Sequence, residues 1–192
     1  RRQRQMCIRD RAQIEELSTL VGDLVDLARE DAPEVVYEEV DLVQIIEHAL
    51  ERVRRRRSDV DFQTTLTPWF VFGEEHGLSR AVLNVLDNAA KWSPRGRSVI
   101  VELNQVAIST AELTVADAGP GIPAEDRELV FERFYRSTQS RSMPGSGLGL
   151  AIVRQVVMRH GGSVRAEQSQ LGGALIRMTL PGHPAPMEPT PQ

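Results

Sequence analysis

Apolar residues recur through positions 12–30 at the 3-4-3-4 spacing of one helix face: Ile14, Leu17, Val21, Leu24 and Ala28, widened by Leu20 and Leu27. The stripe is broader than a two-stranded coiled-coil seam and suits a helix of a four-helix bundle; a helix lying on its own domain is the alternative. Pro33 ends it. A short strand is expected over 35–40. Asp41 then caps a helix reaching about residue 57, with Leu42, Ile45, Ile46, Ala49, Leu50 and Val53 on its inner face. The arginines at 54–57 read as a solvated helix end favoured by the helix dipole, with a partner-binding patch as the second reading. Strands are expected over 60–66 and 69–72, a helix over 78–91, and a β-hairpin over 99–108 and 112–117. Residues 118–149 are rich in Gly, Pro, Ser and Arg, with a short helix near 124–132. A helix over 150–159 stops at Gly161-Gly162, and strands over 163–168 and 174–180 complete the pattern. Residues 182–192 hold four prolines and little to bury, so the tail from 183 on is expected to be disordered. There are no internal repeats.

Composition narrows the function. At about 150 residues per domain, 192 residues make one domain plus an appendage. A net charge of −4 argues against a nucleic-acid binder that works by neutralising phosphates. The single cysteine, Cys7, makes no internal disulfide, and no Cys/His cluster has zinc-ligand spacing. No stretch approaches the roughly 18 apolar residues of a spanning helix. Of 23 basic residues, 22 are Arg and one, Lys91, is Lys. Coding bias accounts for the arginines, and the surviving Lys either marks a place where a compact ammonium is needed or survives by chance.

Three segments carry candidate chemistry. On the 78–91 helix Asn84, Asn88 and Lys91 fall at i, i+4 and i+7, within about 60° of arc. Leu78, Ala81, Val82, Val85 and Ala89 centre roughly 120° away, toward the core. Amide oxygens suit a hard cation such as Mg²⁺, and an ammonium suits phosphate oxygens; solvent-facing polar residues are the bland alternative. Asp117-Ala118-Gly119-Pro120-Gly121-Ile122 follows a strand. Its glycines admit backbone close to a planar ligand, and its Asp can accept from an exocyclic amine, unless it is a simple Gly-Pro turn. Gly145-Ser146-Gly147-Leu148-Gly149-Leu150 opens a helix, where exposed N–H groups at the positive end suit a polyphosphate, a loop that merely turns being the alternative.

The order N-x-x-x-N-A-x-K, strand-D-x-G-x-G-I, Phe131-Glu132-Arg133-Phe134-Tyr135 and G-x-G-L-G-L resembles the ATP-binding domain of sensor histidine kinases, within the superfamily of gyrase-, chaperone- and MutL-like ATPases. The resemblance covers residues 33–182 and leans toward actinobacterial membrane sensor kinases. It implies an α/β two-layer sandwich: a mixed sheet of about five strands with three helices on one face, preceded by one helix of a dimerisation bundle within residues 1–32. It implies ATP and Mg²⁺, with Asn88 binding the cation, Asn84 supporting it, and Lys91 on phosphate oxygens. Asp117 would read the adenine amino group, with Gly119, Gly121 and Ile122 beside the base. Trp92 would stack on adenine or fill the core. Residues 123–146 would form a lid whose Arg133 and Arg136 are phosphate candidates or solvated arginines, and Gly145, Gly147, Leu148 and Gly149 would close on the triphosphate. It implies a cytoplasmic domain of a plasma-membrane protein, a homodimer when full-length, partnered by its own phosphoacceptor helix and a response-regulator receiver domain.

Hydrolysing members of the superfamily carry a Glu four residues before the cation-binding Asn, as general base. Asn84 stands there, and an amide cannot take that proton, so the γ-phosphoryl is expected to await an acceptor with its own nucleophile, such as a neutral imidazole. None of His48, His76, His160 or His183 lies in a phosphoacceptor motif. Residues 1–11 fit no family pattern, and 4–11 read like translated adapter sequence. A nucleotide-binding module without kinase activity and a hydrolysing ATPase are alternatives. A dinucleotide-binding unit around Gly147-Leu148-Gly149 lacks the strand it requires, and no P-loop motif is present.

Overall fold

The computed structural model describes residues 36–137 and 145–185. The expected helix over 12–30, the segment 138–144 of the expected lid and the last seven residues of the tail lie outside the described residues.

A short strand, β1 (Glu38–Asp41), runs into α1 (Leu42–Arg56). Asp41 caps this helix, its Oδ1 accepting from Val43 N at 2.9 Å and Gln44 N at 3.4 Å. The six apolar residues expected on its inner face are buried. β2 (Asp61–Leu66), β3 (Phe70–Gly73), α2 (Glu75–Trp92), the hairpin β4 (Ser98–Ala107) and β5 (Thr110–Ala116), α3 (Gly149–Arg159), β6 (Ser163–Gln168) and β7 (Ala174–Pro181) follow. β1 and β3 form a separate antiparallel pair, while the other five strands make one sheet in the order β2-β4-β5-β7-β6. Only β2 and β4 run parallel, so the sheet is mixed.

Alternation places Val99, Val101, Leu103, Leu113, Val115, Ile176, Met178 and Leu180 in a core shared with the apolar faces of the three helices. The opposite face is polar where Arg177 on β7 pairs with Glu112 on β5 and, at 3.1 Å, with Glu167 on β6. Over the described residues the mixed five-strand sheet with three helices expected from the sequence is the one observed, with three local corrections. α2 begins three residues early, at Glu75. The short helix near 124–132 is two separate 3-10 turns, Ala124–Asp126 and Leu129–Phe131. The chain is still ordered at His183, whose N–H and C=O pair with Phe70, so the expected disordered tail does not start there.

α3 ends as Gly161, at φ +72°, turns the chain away, with Gly161 N–H donating to Met158 O. His160 in that cap is 6% exposed. Its Nδ1–H donates to Val156 O at 2.7 Å, and its Nε2 accepts from Glu74 N–H at 2.9 Å, just before α2. This pairing holds the ring neutral, and burial keeps its pKa below the ordinary 6.5. A lowered folded pKa means that the unfolded chain binds the extra proton first, so the contribution is whole above the unfolded value and is lost as pH falls below it. Chemical denaturation between pH 7.5 and 5 should therefore show stability falling with acid more steeply in the wild type than in His160→Gln; parallel slopes contradict this reading.

Candidate nucleotide site

α2 is buried on more than one side: Leu78, Ala81, Val82, Val85 and Ala89 are covered as expected, and Leu83, Leu86 and Ala90 are covered as well. Its polar residues are thereby confined to a strip. Along that strip Asn84 Nδ2 donates to the carbonyl of Gly149 at 3.2 Å, and a Cβ at Gly145 would come within 3.0 Å of the Lys91 ammonium. The strip thus touches both ends of the glycine loop before α3. Asn88 lies between them, its Oδ1 accepting from Trp92 Nε1 at 3.2 Å. The Lys91 ammonium sits 5.3 Å from the centre of the Trp92 ring. Trp92 is half-buried and organises its neighbours, Asn88 through the indole N–H and Lys91 through the ring face.

The second loop meets the C-terminal end of the same helix. Asp117 is 3% exposed. Its Oδ1 accepts two backbone N–H groups, from Gly119 at 2.8 Å and from Ala174 at 3.0 Å. Burial pushes its carboxyl above the usual aspartate range, and these two donors pull it part of the way back. Both bonds fall on one oxygen, which leaves Oδ2 as an acceptor for a ligand donor. Ser93 Oγ accepts from Ala118 N–H at 3.4 Å, and a Cβ on Gly119 would press on the Trp92 carbonyl oxygen at 2.9 Å. The loop is therefore seated directly on the end of α2.

The third contact explains the aromatic motif. Phe134 N–H donates to Gly147 O at 3.0 Å, and Phe134 itself adopts φ +64°, a region that a bulky residue rarely enters. Gly147 sits at φ +74°, with a Cβ there placed 2.9 Å from the Phe134 carbonyl carbon, so backbone meets backbone and no side chain fits. Tyr135 Oη donates to Asp126 at 2.6 Å and Phe131 is buried, which ties this turn to the 3-10 segments. Leu148 is fully buried, its N–H donating to Ser146 Oγ at 3.2 Å. Ile122 is half-buried and its carbonyl accepts from Arg127 Nε at 3.4 Å. Arg133 is exposed and Arg136 half-buried.

Of the residues singled out in the sequence, Asn84, Asn88, Lys91, Trp92 and Asp117 are thus brought together with Gly119, Gly145, Gly147 and Gly149. Gly121, at φ +80°, lies farther along, beside the Gln168 side chain. Sequence reasoning missed four residues. Ser93 bridges helix and loop. Gly173 backs Asp117 so tightly that a Cβ there would lie 2.1 Å from Oδ1, and Gln168 Nε2 donates to the Gly172 and Gly173 carbonyls at 2.9 and 3.1 Å. Arg57 caps the end of α2. The Gly172-Gly173 pair after a strand was a visible signal; Ser93, Gln168 and Arg57 had none.

Comparison with known proteins shows the family and the fold. Residues 73–184 match the model of the histidine kinase-, DNA gyrase B- and HSP90-like ATPase family. The signal transduction histidine-protein kinase/phosphatase MprB of Mycolicibacterium vanbaalenii is 59% identical over 179 residues, covering 91% of this chain and 37% of that protein. The MprB of Mycobacterium leprae is 58% identical over 180 residues, 92% of this chain and 35% of that protein. The chain therefore spans little more than a third of the length of these curated relatives. Among solved structures, a mycobacterial sensor histidine kinase MprB superposes with a TM-score of 0.74 at 56% identity, covering 78% of this chain and all of that one. Full-length ShkA in complex with AMPPNP superposes at 0.73 with 27% identity, covering 88% of this chain and 36% of that one. Helix strip, buried aspartate and glycine loop occur here in a chain more than half of which matches the family model, and the chain belongs to the histidine kinase-, DNA gyrase B- and HSP90-like ATPase family.

Proposed function

We propose that this chain is the ATP-binding catalytic part of a two-component sensor histidine kinase. In the whole protein it would transfer the γ-phosphoryl of ATP to a histidine outside this chain, for relay to an aspartate of a response-regulator receiver domain. The observation that carries the proposal is the meeting of the Asn84–Lys91 strip with the glycine loop at one end and the Asp117 loop at the other. The names of the MprB relatives and the AMPPNP complex of ShkA support the same reading.

Asp117 Oδ2 would accept from the exocyclic amine of adenine, which guanine replaces with a carbonyl, so adenine is selected. The N–H groups around 145–149, at the positive end of α3, and the Lys91 ammonium would hold the phosphates. Arg133 and Arg136 are the further phosphate candidates on the lid. The donor set fits Mg²⁺ held mostly by phosphates and water: among the described residues no cluster of three His, Cys, Asp or Glu could enclose a metal ion. Asn88 Oδ1 would be the protein ligand, sharing its second lone pair with Trp92, while Asn84, already bonded to Gly149 through its nitrogen, keeps Oδ1 for support. Bound there, the cation would neutralise charge on the phosphates. No carboxylate stands at position 84, so water is not activated by that side chain. Catalysis would consist of positioning and charge neutralisation, with an imidazole supplying the nucleophile. The full-length protein would be a homodimer in the plasma membrane, its phosphoacceptor helix docking on this domain.

Three outcomes follow. At a ligand concentration about 100-fold above Kd, Mg²⁺-ATP should raise the melting temperature by about 5–10 °C, whereas Mg²⁺-GTP and NAD leave it unchanged; stabilisation by NAD alone contradicts the reading. Asp117→Asn should weaken ATP binding about tenfold or more in calorimetric titration, because the two backbone N–H groups keep the amide oxygen in the place of Oδ1 and turn the amide NH2, a second donor, toward the adenine amine. With γ-labelled ATP the isolated chain should acquire no phosphohistidine, and a matching upstream helix that carries the acceptor should acquire it when added; label on the isolated chain overturns the assignment of the acceptor.

A further inference from the structure

Arg57 closes two helices at once. Its own N–H donates to Val53 O at 2.9 Å, at the end of α1. Its guanidinium reaches across to the end of α2, donating to the Ala90 carbonyl and, at 3.0 Å, to the Ser93 carbonyl. The last carbonyls of a helix lack intrahelical partners and carry its partial negative charge, so a charged donor there is well placed. Asp59 holds the guanidinium in turn, its Oδ1 2.9 Å from Arg57 Nε and its Oδ2 3.3 Å from Nη2. Asp59 also pairs with Arg95 at 3.4 Å, and its carbonyl accepts from Gly96 N–H at 2.7 Å. The Arg57 side chain is 28% exposed, against 80% for Arg55 two residues earlier. This corrects the expectation that all four arginines at 54–57 form a solvated end.

Lys91 and Trp92 lie between the two carbonyls that this one guanidinium grips. Ser93, at the second of them, accepts from Ala118 N–H, the residue after Asp117. We infer that Arg57 is a positioning residue for nucleotide binding: by clamping residues 90 and 93 together it sets Lys91 and Trp92 in register with the Asp117 loop. The guanidinium touches no ligand itself. Its effect runs through the α2 end: the rigid planar fork holds both carbonyls and the Asp59 carboxylate at once through three separate nitrogens, a spread that the single ammonium nitrogen of a lysine does not reproduce. The inference rests on the nucleotide reading above.

The test is titration of the full 192-residue chain with Mg²⁺-ATP, in wild type, Arg57→Ala, Arg57→Lys and Arg54→Ala. Arg54 is the control: it donates to Phe62 O at 3.0 Å and lies over the Phe62 ring, a comparable staple to the sheet at the same helix end, away from α2. Arg57→Ala should raise Kd about tenfold, with faster amide exchange at Ala118 and Gly119, while Arg54→Ala changes Kd less than about twofold. Arg57→Lys, which keeps the charge and stays folded, should still lose about threefold. An Arg57→Lys protein that binds like the wild type overturns the inference, and so does an Arg54→Ala loss equal to that of Arg57→Ala. Failure of the wild type itself to bind Mg²⁺-ATP marks failure of the nucleotide reading instead.

Discussion

The structure depends on how α2 is buried. This helix lies within the helical layer against the sheet and packs between α1 and α3, so eight of its apolar residues beyond the first turn are covered and its polar residues are left only a narrow strip. Burial of that much apolar surface sets the rotation of the helix about its own axis to within a few tens of degrees, because turning it would expose Leu or bury Asn without a partner. Rotation fixed by the core then dictates where Asn84, Asn88 and Lys91 point. The polar strip is a by-product of the packing, and the two loops are built to meet it.

The loops meet it by backbone rather than by side chain. Gly147 against Phe134, Gly119 against the Trp92 carbonyl and Gly173 against Asp117 are contacts in which a single added carbon would collide. Such contacts bring N–H groups and carbonyls within reach of one another and of a ligand. Asp117 shows the electrostatic counterpart: a carboxyl almost removed from water, its proton affinity raised by burial and moderated by two backbone donors. The strain at Phe134, a bulky residue in the left-handed region, falls where the aromatic turn meets the glycine loop, and strained backbone concentrates at sites of function.

Much of this was legible in the sequence because the signals were periodic or chemical. The inner faces of α1 and α2 follow from spacing, the Asp41 cap from residue type, and the strip from the positions of two amides and one lysine among 22 arginines. What was not legible depends on the third dimension. Leu83, Leu86 and Ala90 look like the flank of an amphipathic helix, yet the folded chain buries them too. His160, before a glycine stop, reads as structural or exposed alike, and only the fold shows it joining the start of α2 to the end of α3 through both ring nitrogens. Arg57 reads as one of four equal cations, and only the fold separates it from Arg55. The separate β1–β3 pair and its contact with His183 could not be inferred, since nothing in the pattern says which strands join the main sheet.

The account stands on one claim, that the α2 strip and the loops at 117–121 and 145–149 surround a single nucleotide. Backbone amide shift mapping of the labelled chain, titrated with Mg²⁺-ATP, tests it most directly. The account predicts that the largest changes fall on residues 84–93, 117–122 and 145–149 together, with one common saturation curve. Changes centred instead on the groove between Glu74, Arg80, Gln155 and Arg159, with the three segments silent, would contradict it.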